Sequence, residues 1–143
     1  MLMAKLSEDP SFPFYVASRL FSQAYREPLA EIGLTYPQFL VMMVLWEKDG
    51  QMVSQIGQAL QLDSGTLTPL LKRLESANLI KRVRSESDER RVEIELTYPG
   101  SNLQRKAQEI HTKAMEIFNN WEEKELKQLR SLTEKLISTF NAS

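Results

Sequence analysis

The chain has 143 residues, 42% hydrophobic and 26% charged, with a formal net charge of −1 and no cysteine. That length suits one compact domain, or one domain with helical extensions, and buries a core without staples. The missing cysteine excludes disulfides, thiolate metal sites and thiol nucleophiles, and no apolar run nears the roughly 20 residues of a membrane span.

Residues 11–32 read as a helix. Tyr15, Leu20, Phe21, Tyr25, Leu29 and Ile32 recur at steps of three to five with Arg19, Gln23 and Arg26 between them, and Gly33 supplies the stop. Thr35 can cap a second, strongly apolar helix over 39–46, with Pro37 suited to its first turn. Asp49-Gly50 marks a turn. A short helix over 54–60 carries Ile56 and Leu60 four apart. After the Leu62-Asp63-Ser64-Gly65 break, Leu67, Leu70, Leu71 and Leu74 form one face of a further helix. Asp63, Ser64 and Thr66 each qualify as its cap. Pro69, which lacks an N–H, is expected near its start, where donors are unpaired anyway. So short a break makes the pair a tight helix–turn–helix.

The period then changes. Val92, Ile94 and Leu96 alternate with Arg91, Glu93, Glu95 and Thr97, a half-buried strand. Residues 80–85 are a weaker partner strand, Glu86-Ser87-Asp88-Glu89-Arg90 is the hairpin tip, and Pro99-Gly100 ends the hairpin. Two helices over 102–120 and 122–140 close the chain, striped by Ala107, Ile110, Ala114, Ile117, Phe118 and Trp121, then by Leu126, Leu129, Leu132, Leu136, Ile137 and Phe140. The expected fold is mainly α with a small β-hairpin wing: a winged helix-turn-helix in a single domain. Its DNA-binding region spans 51–97, and 1–36 with 99–143 form a helical dimerisation region. The start carries Lys5, Glu8 and Asp9 and lacks the apolar block of a signal peptide, so the expected location is the cytoplasm, with no membrane partner.

Charge is unevenly placed. Residues 72–91 hold seven basic and four acidic side chains, a local +3 that leaves −4 on the rest. Phosphate contact by one region needs such a patch, although a solvated hairpin has the same composition. With the leucines turned inward, Ser64, Gly65, Thr66, Thr68, Pro69, Lys72 and Arg73 lie outward or at the helix end. Small and hydroxyl-bearing residues permit close approach at a helix start, and the two cations can neutralise phosphates or contact a guanine. Arg84, Arg90 and Arg91 flank the hairpin tip, where one extended arginine suits a narrow minor groove, and Asp88 is placed to hold the Arg90 side chain. The terminal stripes exceed the core needs of a winged helix. They point to a homodimer with two reading heads for palindromic double-stranded DNA, an enlarged monomer core being the alternative. His111, the one histidine, sits among Gln108, Thr112 and Lys113 and is expected at the surface. With no Gly-rich phosphate loop, HExxH or GxSxG, no catalytic residue, metal or cofactor is expected. A protein–protein adaptor without DNA is the alternative from a different class.

Three stretches carry a family resemblance: 34–39 (Leu-Thr-Tyr-Pro-Gln-Phe), 62–74 (Leu-Asp-Ser-Gly-Thr-Leu-Thr-Pro-Leu-Leu-Lys-Arg-Leu) and Asp88-Glu89-Arg90. They closely resemble the multiple-antibiotic-resistance regulator (MarR) family, and within it the organic-hydroperoxide-sensing repressors. The resemblance covers nearly the whole chain, and the run 63–74 is its most specific part. It implies a winged-helix homodimer that represses peroxide-defence genes. It also implies a recognition helix over 64–77 and a wing whose Arg90 enters the minor groove, supported by Asp88. The family's Tyr-x-x-Ser-Arg pattern falls on Tyr15 to Arg19 and puts its reactive cysteine position at Ser11. Tyr25 and Tyr36 match the tyrosines that hydrogen-bond the thiol across the dimer. Phenol donors stabilise a thiolate that attacks peroxide and becomes a sulfenic acid, and a serine hydroxyl does not follow that route. The expectation is a repressor that binds DNA and is not released by organic hydroperoxide. Ser11 then reads in two ways: an engineered Cys→Ser substitution, or a natural relative that lost peroxide sensing and answers to a small phenolic or other ligand.

Overall fold

The computed structural model describes residues 3–143. They form two compact units, one ending at His111 and one running from Thr112 to Ser143. In the first, a 3₁₀ turn (Leu6–Glu8) precedes α1 (Ser11–Glu31), α2 (Tyr36–Glu47), β1 (Gln51–Met52), α3 (Val53–Leu60), α4 (Ser64–Ser76), β2 (Ile80–Arg84), β3 (Val92–Leu96) and α5 (Tyr98–Asn102). Then α6 (Gln104–Met115) begins.

Local chemistry sets these boundaries. Gly33 at φ +77° lets the Leu34 N–H return to the Leu29 carbonyl at 2.9 Å, which closes α1 where the sequence places its stop. Thr35 and Gln38 cap α2 reciprocally: the Gln38 N–H donates to Thr35 Oγ1 at 3.4 Å and the Thr35 N–H to Gln38 Oε1 at 2.9 Å. That box starts α2 at Tyr36, three residues ahead of the apolar run. Phe39, Val41, Met42 and Leu45 are buried on several sides of α2, the mark of a core helix. Leu29, Phe39, Leu45, Ile56, Leu67, Leu71, Leu74 and Ile94 form the fully buried centre. Among the described residues no single helix is long and apolar enough to cross a membrane, and α1 and α2 are bent by 75° at their junction.

The helix–turn–helix closes tightly because Gln61 takes a left-handed conformation and the Leu62 N–H reaches the Gly57 carbonyl at 2.9 Å. A Cβ on Gly57 would lie 2.9 Å from the Leu62 carbonyl oxygen, so a glycine suits that close approach. Pro69 is a correction. It is the sixth residue of α4, inside the helix, and it withholds the N–H that the Gly65 carbonyl would take at i+4.

The wing is a three-stranded antiparallel sheet in the order β1-β3-β2 rather than a bare hairpin. Arg82 and Gln51 both pair with Ile94, one on each side of β3. Two residues carry no periodicity, so β1 is invisible in the sequence. Asp49 holds it in place: its Oδ1 accepts from the Gly50 N–H at 2.9 Å and from the Leu96 N–H at 2.8 Å. Pro99-Gly100 also differs from expectation. The pair lies within α5, where Thr97 Oγ1 accepts the Gly100 N–H at 3.1 Å and Trp46 Nε1 donates to the Gly100 carbonyl at 2.9 Å.

In the second unit a 3₁₀ turn (Glu116–Phe118) leads to α7 (Glu123–Asn141), so the helix expected over 102–120 is broken. Phe118 and Trp121 meet edge to face at 5.2 Å. Lys127–Glu123 and Arg130–Glu134 pair along α7, each at 2.8 Å. The apolar stripe of α7 stays open, with Leu132 67% and Phe140 72% exposed.

Candidate nucleic-acid interface and phenol cluster

α4 turns Leu67, Leu70, Leu71 and Leu74 into the core, which leaves Ser64, Gly65, Thr66, Pro69, Lys72 and Arg73 exposed and Thr68 half-buried. Asp63 takes the N-cap position, and its carboxylate accepts the Thr66 hydroxyl at 2.5 Å. That bond holds the Asp63 carboxyl below the usual carboxylate range. Thr68 donates back to the Ser64 carbonyl at 2.7 Å. Both threonine hydroxyl protons are therefore engaged, one by the cap carboxylate and one by the helix backbone.

The seven cations of 72–91 divide sharply. Lys81 pairs with Glu95 at 3.9 Å, Arg82 with Glu75 at 3.2 Å and Arg91 with Glu93 at 3.3 Å. Arg84 Nη1 donates to the Glu89 carbonyl at 3.1 Å, bracing the wing tip. Lys72, Arg73 and Arg90 are exposed and take no ion-pair partner among the described residues. Asp88 acts on the backbone of Arg90, not on its side chain: its Oδ1 accepts the Arg90 N–H at 3.0 Å while its carbonyl accepts the Arg91 N–H at 2.9 Å. The tip is a built turn with Arg90 projecting from it.

Ser11, Tyr15, Tyr25 and Tyr36, the residues the family resemblance implies for a sensor pocket, do not all meet within one chain. Ser11 opens α1 exposed, and both its N–H and its Oγ donate to Asp9 Oδ1, at 2.8 and 2.6 Å. Those bonds keep the Asp9 carboxyl below the usual range. Tyr15 is 62% exposed. Tyr25 lies 14 residues beyond Ser11, about 21 Å along a helix. It is buried, with its ring 4.7 Å from that of Tyr36 and 5.7 Å from that of Phe39. Burial, reinforced by Tyr36, pushes the Tyr25 phenol up to about 12, and burial raises that of Tyr36 as well. Both are neutral donors at physiological pH.

His111 is a second correction. It is half-buried, and its Nδ1 shares a 2.9 Å hydrogen bond with Tyr25 Oη. Together with Phe39, Met43, Trp46, Glu47 and Gln104 it lines a cleft of about 210 Å³ between α2 and α6. Its sequence neighbours are polar, so nothing local signals the contact, whose partner lies 86 positions away.

A tight helix pair followed by a three-stranded wing defines a winged-helix regulator of the MarR type. Residues 23–110 match the family described as transcriptional regulator SarA/Rot, and the chain belongs to that family. It is 42% identical over 137 residues to the organic hydroperoxide resistance transcriptional regulator of Bacillus subtilis, covering 96% of this chain and 92% of that protein. It is 54% identical over 101 residues to the HTH-type transcriptional regulator TtmR of Methylorubrum extorquens, covering 71% of this chain. The chain spans about half the length of TtmR, 52%. Its structure is similar to that of AbfR of Staphylococcus epidermidis at 38% identity and a TM-score of 0.77, covering 96% of this chain and 95% of that one. Reduced AbfR has also been captured on DNA.

Proposed function

We propose that the chain is a homodimeric, sequence-specific DNA-binding repressor of the organic-hydroperoxide-responsive type that has lost the peroxide response. α4 enters the major groove of a palindromic operator, and Arg90 reaches into the minor groove from the wing. The observation that carries this reading is the division of the cations. Four of the seven are held by the protein itself, while the three with no ionic partner among the described residues are two on the outer face of α4 and one at the wing tip. The open stripes of α1 and α7, with Tyr15, Leu20, Leu132 and Phe140 exposed, support dimerisation through the terminal helices. Ser11 lies too far from Tyr25 to meet it within one chain, which supports a pocket shared between protomers. The protein acts in the cytoplasm and is not an enzyme.

Affinity for a duplex selected by the protein from a random pool, measured across a salt series, tests the reading. Binding should weaken steeply with salt. Arg90→Ala should cost about 1–3 kcal/mol of binding, and unchanged affinity in that variant overturns the wing assignment. Organic hydroperoxide should not release the complex, because no thiol exists to be oxidised. The cleft beside His111 favours one second reading, release by a small ligand. An effector screen by thermal shift separates that reading from a protein with no effector.

A further inference from the structure

We propose that the main-chain carbonyl of Gly65, left without its helical donor by Pro69, reads the exocyclic amino group of one operator base in the major groove. This rests on the reading of α4 as the DNA-facing helix, and adds to it a specificity-determining acceptor that no side chain supplies. Three observations lead to it. The first is what the carbonyls at the start of α4 hold. That of Asp63 accepts the Leu67 N–H at 3.0 Å, and that of Ser64 accepts the Thr68 hydroxyl at 2.7 Å. The residue four beyond Gly65 is Pro69, which lies inside the helix and has no N–H to give. The second is that Gly65 is exposed, and the exposed surface of a glycine is main chain. The third is position: Gly65, Pro69, Lys72 and Arg73 stand at i, i+4, i+7 and i+8, one exposed stripe along α4.

The fold itself requires neither Gly65 nor Pro69. Gly65 is not left-handed, unlike Gly33 and Gly50. A Cβ on it would meet Asp63 Oδ2 at 3.0 Å, the far end of a side chain. Pro69 is exposed and adds nothing to the leucine core. Both are poor helix formers, and departures from local preference concentrate at functional sites. Here the two residues share one consequence. A carbonyl without a helical donor, unscreened by any side chain, lies on the stripe that carries the cations. In the major groove its complements are the adenine N6 and cytosine N4 amino groups, whereas guanine and thymine offer acceptors. Each base pair holds one such amino group, and exchanging the pair moves it across the groove. An acceptor then faces the carbonyl, and both are left unpaired.

The full chain and Pro69→Ala, which restores the N–H, are titrated onto the selected duplex and onto copies lacking one amino group each. Purine replaces adenine in these copies, and pyrimidin-2-one replaces cytosine. Alanine is the better helix former, so the variant should fold, with far-UV circular dichroism and the urea midpoint as the check. Wild type should lose about two- to tenfold at one position in each half-site, the range of a single neutral hydrogen bond. Pro69→Ala should bind the unmodified duplex more weakly by a similar factor and lose nothing further at that position. If the two proteins respond alike to every amino deletion, the carbonyl reads no base and the proposal is overturned. If they differ instead where uracil replaces a thymine, Pro69 acts by apolar contact with the methyl group, which overturns it equally. In both cases the duplex is bound and the underlying reading stands. A chain that selects no duplex defeats that reading, and this proposal with it.

Discussion

On the outer face of α4 the polar groups point to water, and in the phenol cluster they point at one another. Lys72 and Arg73 stand exposed with no ionic partner among the described residues, and the hydroxyl protons of Thr66 and Thr68 are already committed. Tyr25, by contrast, is buried, and its hydroxyl is satisfied by His111. A surface of the first kind is ready for a partner and contributes little to folding. A cluster of the second kind contributes much to folding and answers only to changes that break its internal bonds. Substitutions in the two regions should therefore separate stability from binding.

The largest effect is expected in the cluster. Phe39 is 2% exposed and contacts the rings of Tyr25, Tyr36 and Trp46. Phe39→Ala should cost about 3–5 kcal/mol in urea denaturation, and a loss below about 1 kcal/mol would show that the cluster is loosely packed.

Alkali tests the same burial without mutation. The Tyr25 phenol is raised from 10.0 to about 12 by burial first and by Tyr36 second. Its ionised form is disfavoured in the folded chain, so its contribution is fully present below pH 10 and is lost as the pH climbs toward 12. The loss is about 3 kcal/mol, reckoned from two pK units. Urea midpoints on either side of that window should show it, and Tyr25→Phe should remove most of it. Equal losses in wild type and variant would assign the alkaline transition elsewhere.

Gly100 comes next, because it joins the two regions. Its carbonyl takes the Trp46 indole N–H, and a Cβ there would fall 2.0 Å from the Leu79 carbonyl oxygen. Backbone must move to admit a methyl group, so Gly100→Ala should cost about 1–3 kcal/mol. Because Leu79 lies just ahead of β2, the variant should also weaken DNA binding beyond what the lost stability explains. Unaltered affinity in the folded fraction would show that α5 does not position the wing.

What the sequence made legible follows the range of the interactions. The inward leucines of α4, the Thr35 cap and the alternation of β3 depend on neighbours within a few positions, and each stands where the periodicity places it. Lys72, Arg73 and Arg90 were legible as cations, but their freedom was not, since it depends on which carboxylates the sheet register brings to Lys81, Arg82 and Arg91. β1 is too short for any period and is held by Asp49 from across the turn. His111 is the plainest case. Polar neighbours in the chain suggest a surface residue, and only the folding of α6 against α1 brings it to Tyr25. The family resemblance named Tyr25 and Tyr36 as a pair, and the structure brings their rings together, tilted by 36°, while leaving Ser11 and Tyr15 exposed.

The smallest stability effect belongs to the exposed face, and it sharpens the contrast most. Lys72 is exposed, pairs with no carboxylate among the described residues, and lies beyond the first turn of α4. Truncating it removes no buried contact, so Lys72→Ala should leave the urea midpoint within about 0.5 kcal/mol of wild type. Binding should change in a particular way. If Lys72 meets a phosphate, affinity falls by a similar factor on every sequence, and the slope of log affinity against log salt drops by about 1. If it reads a guanine instead, the loss concentrates on duplexes changed at one base pair. A variant with wild-type affinity and an unchanged salt slope would remove Lys72 from the interface and leave Arg73 and Arg90 as its cations.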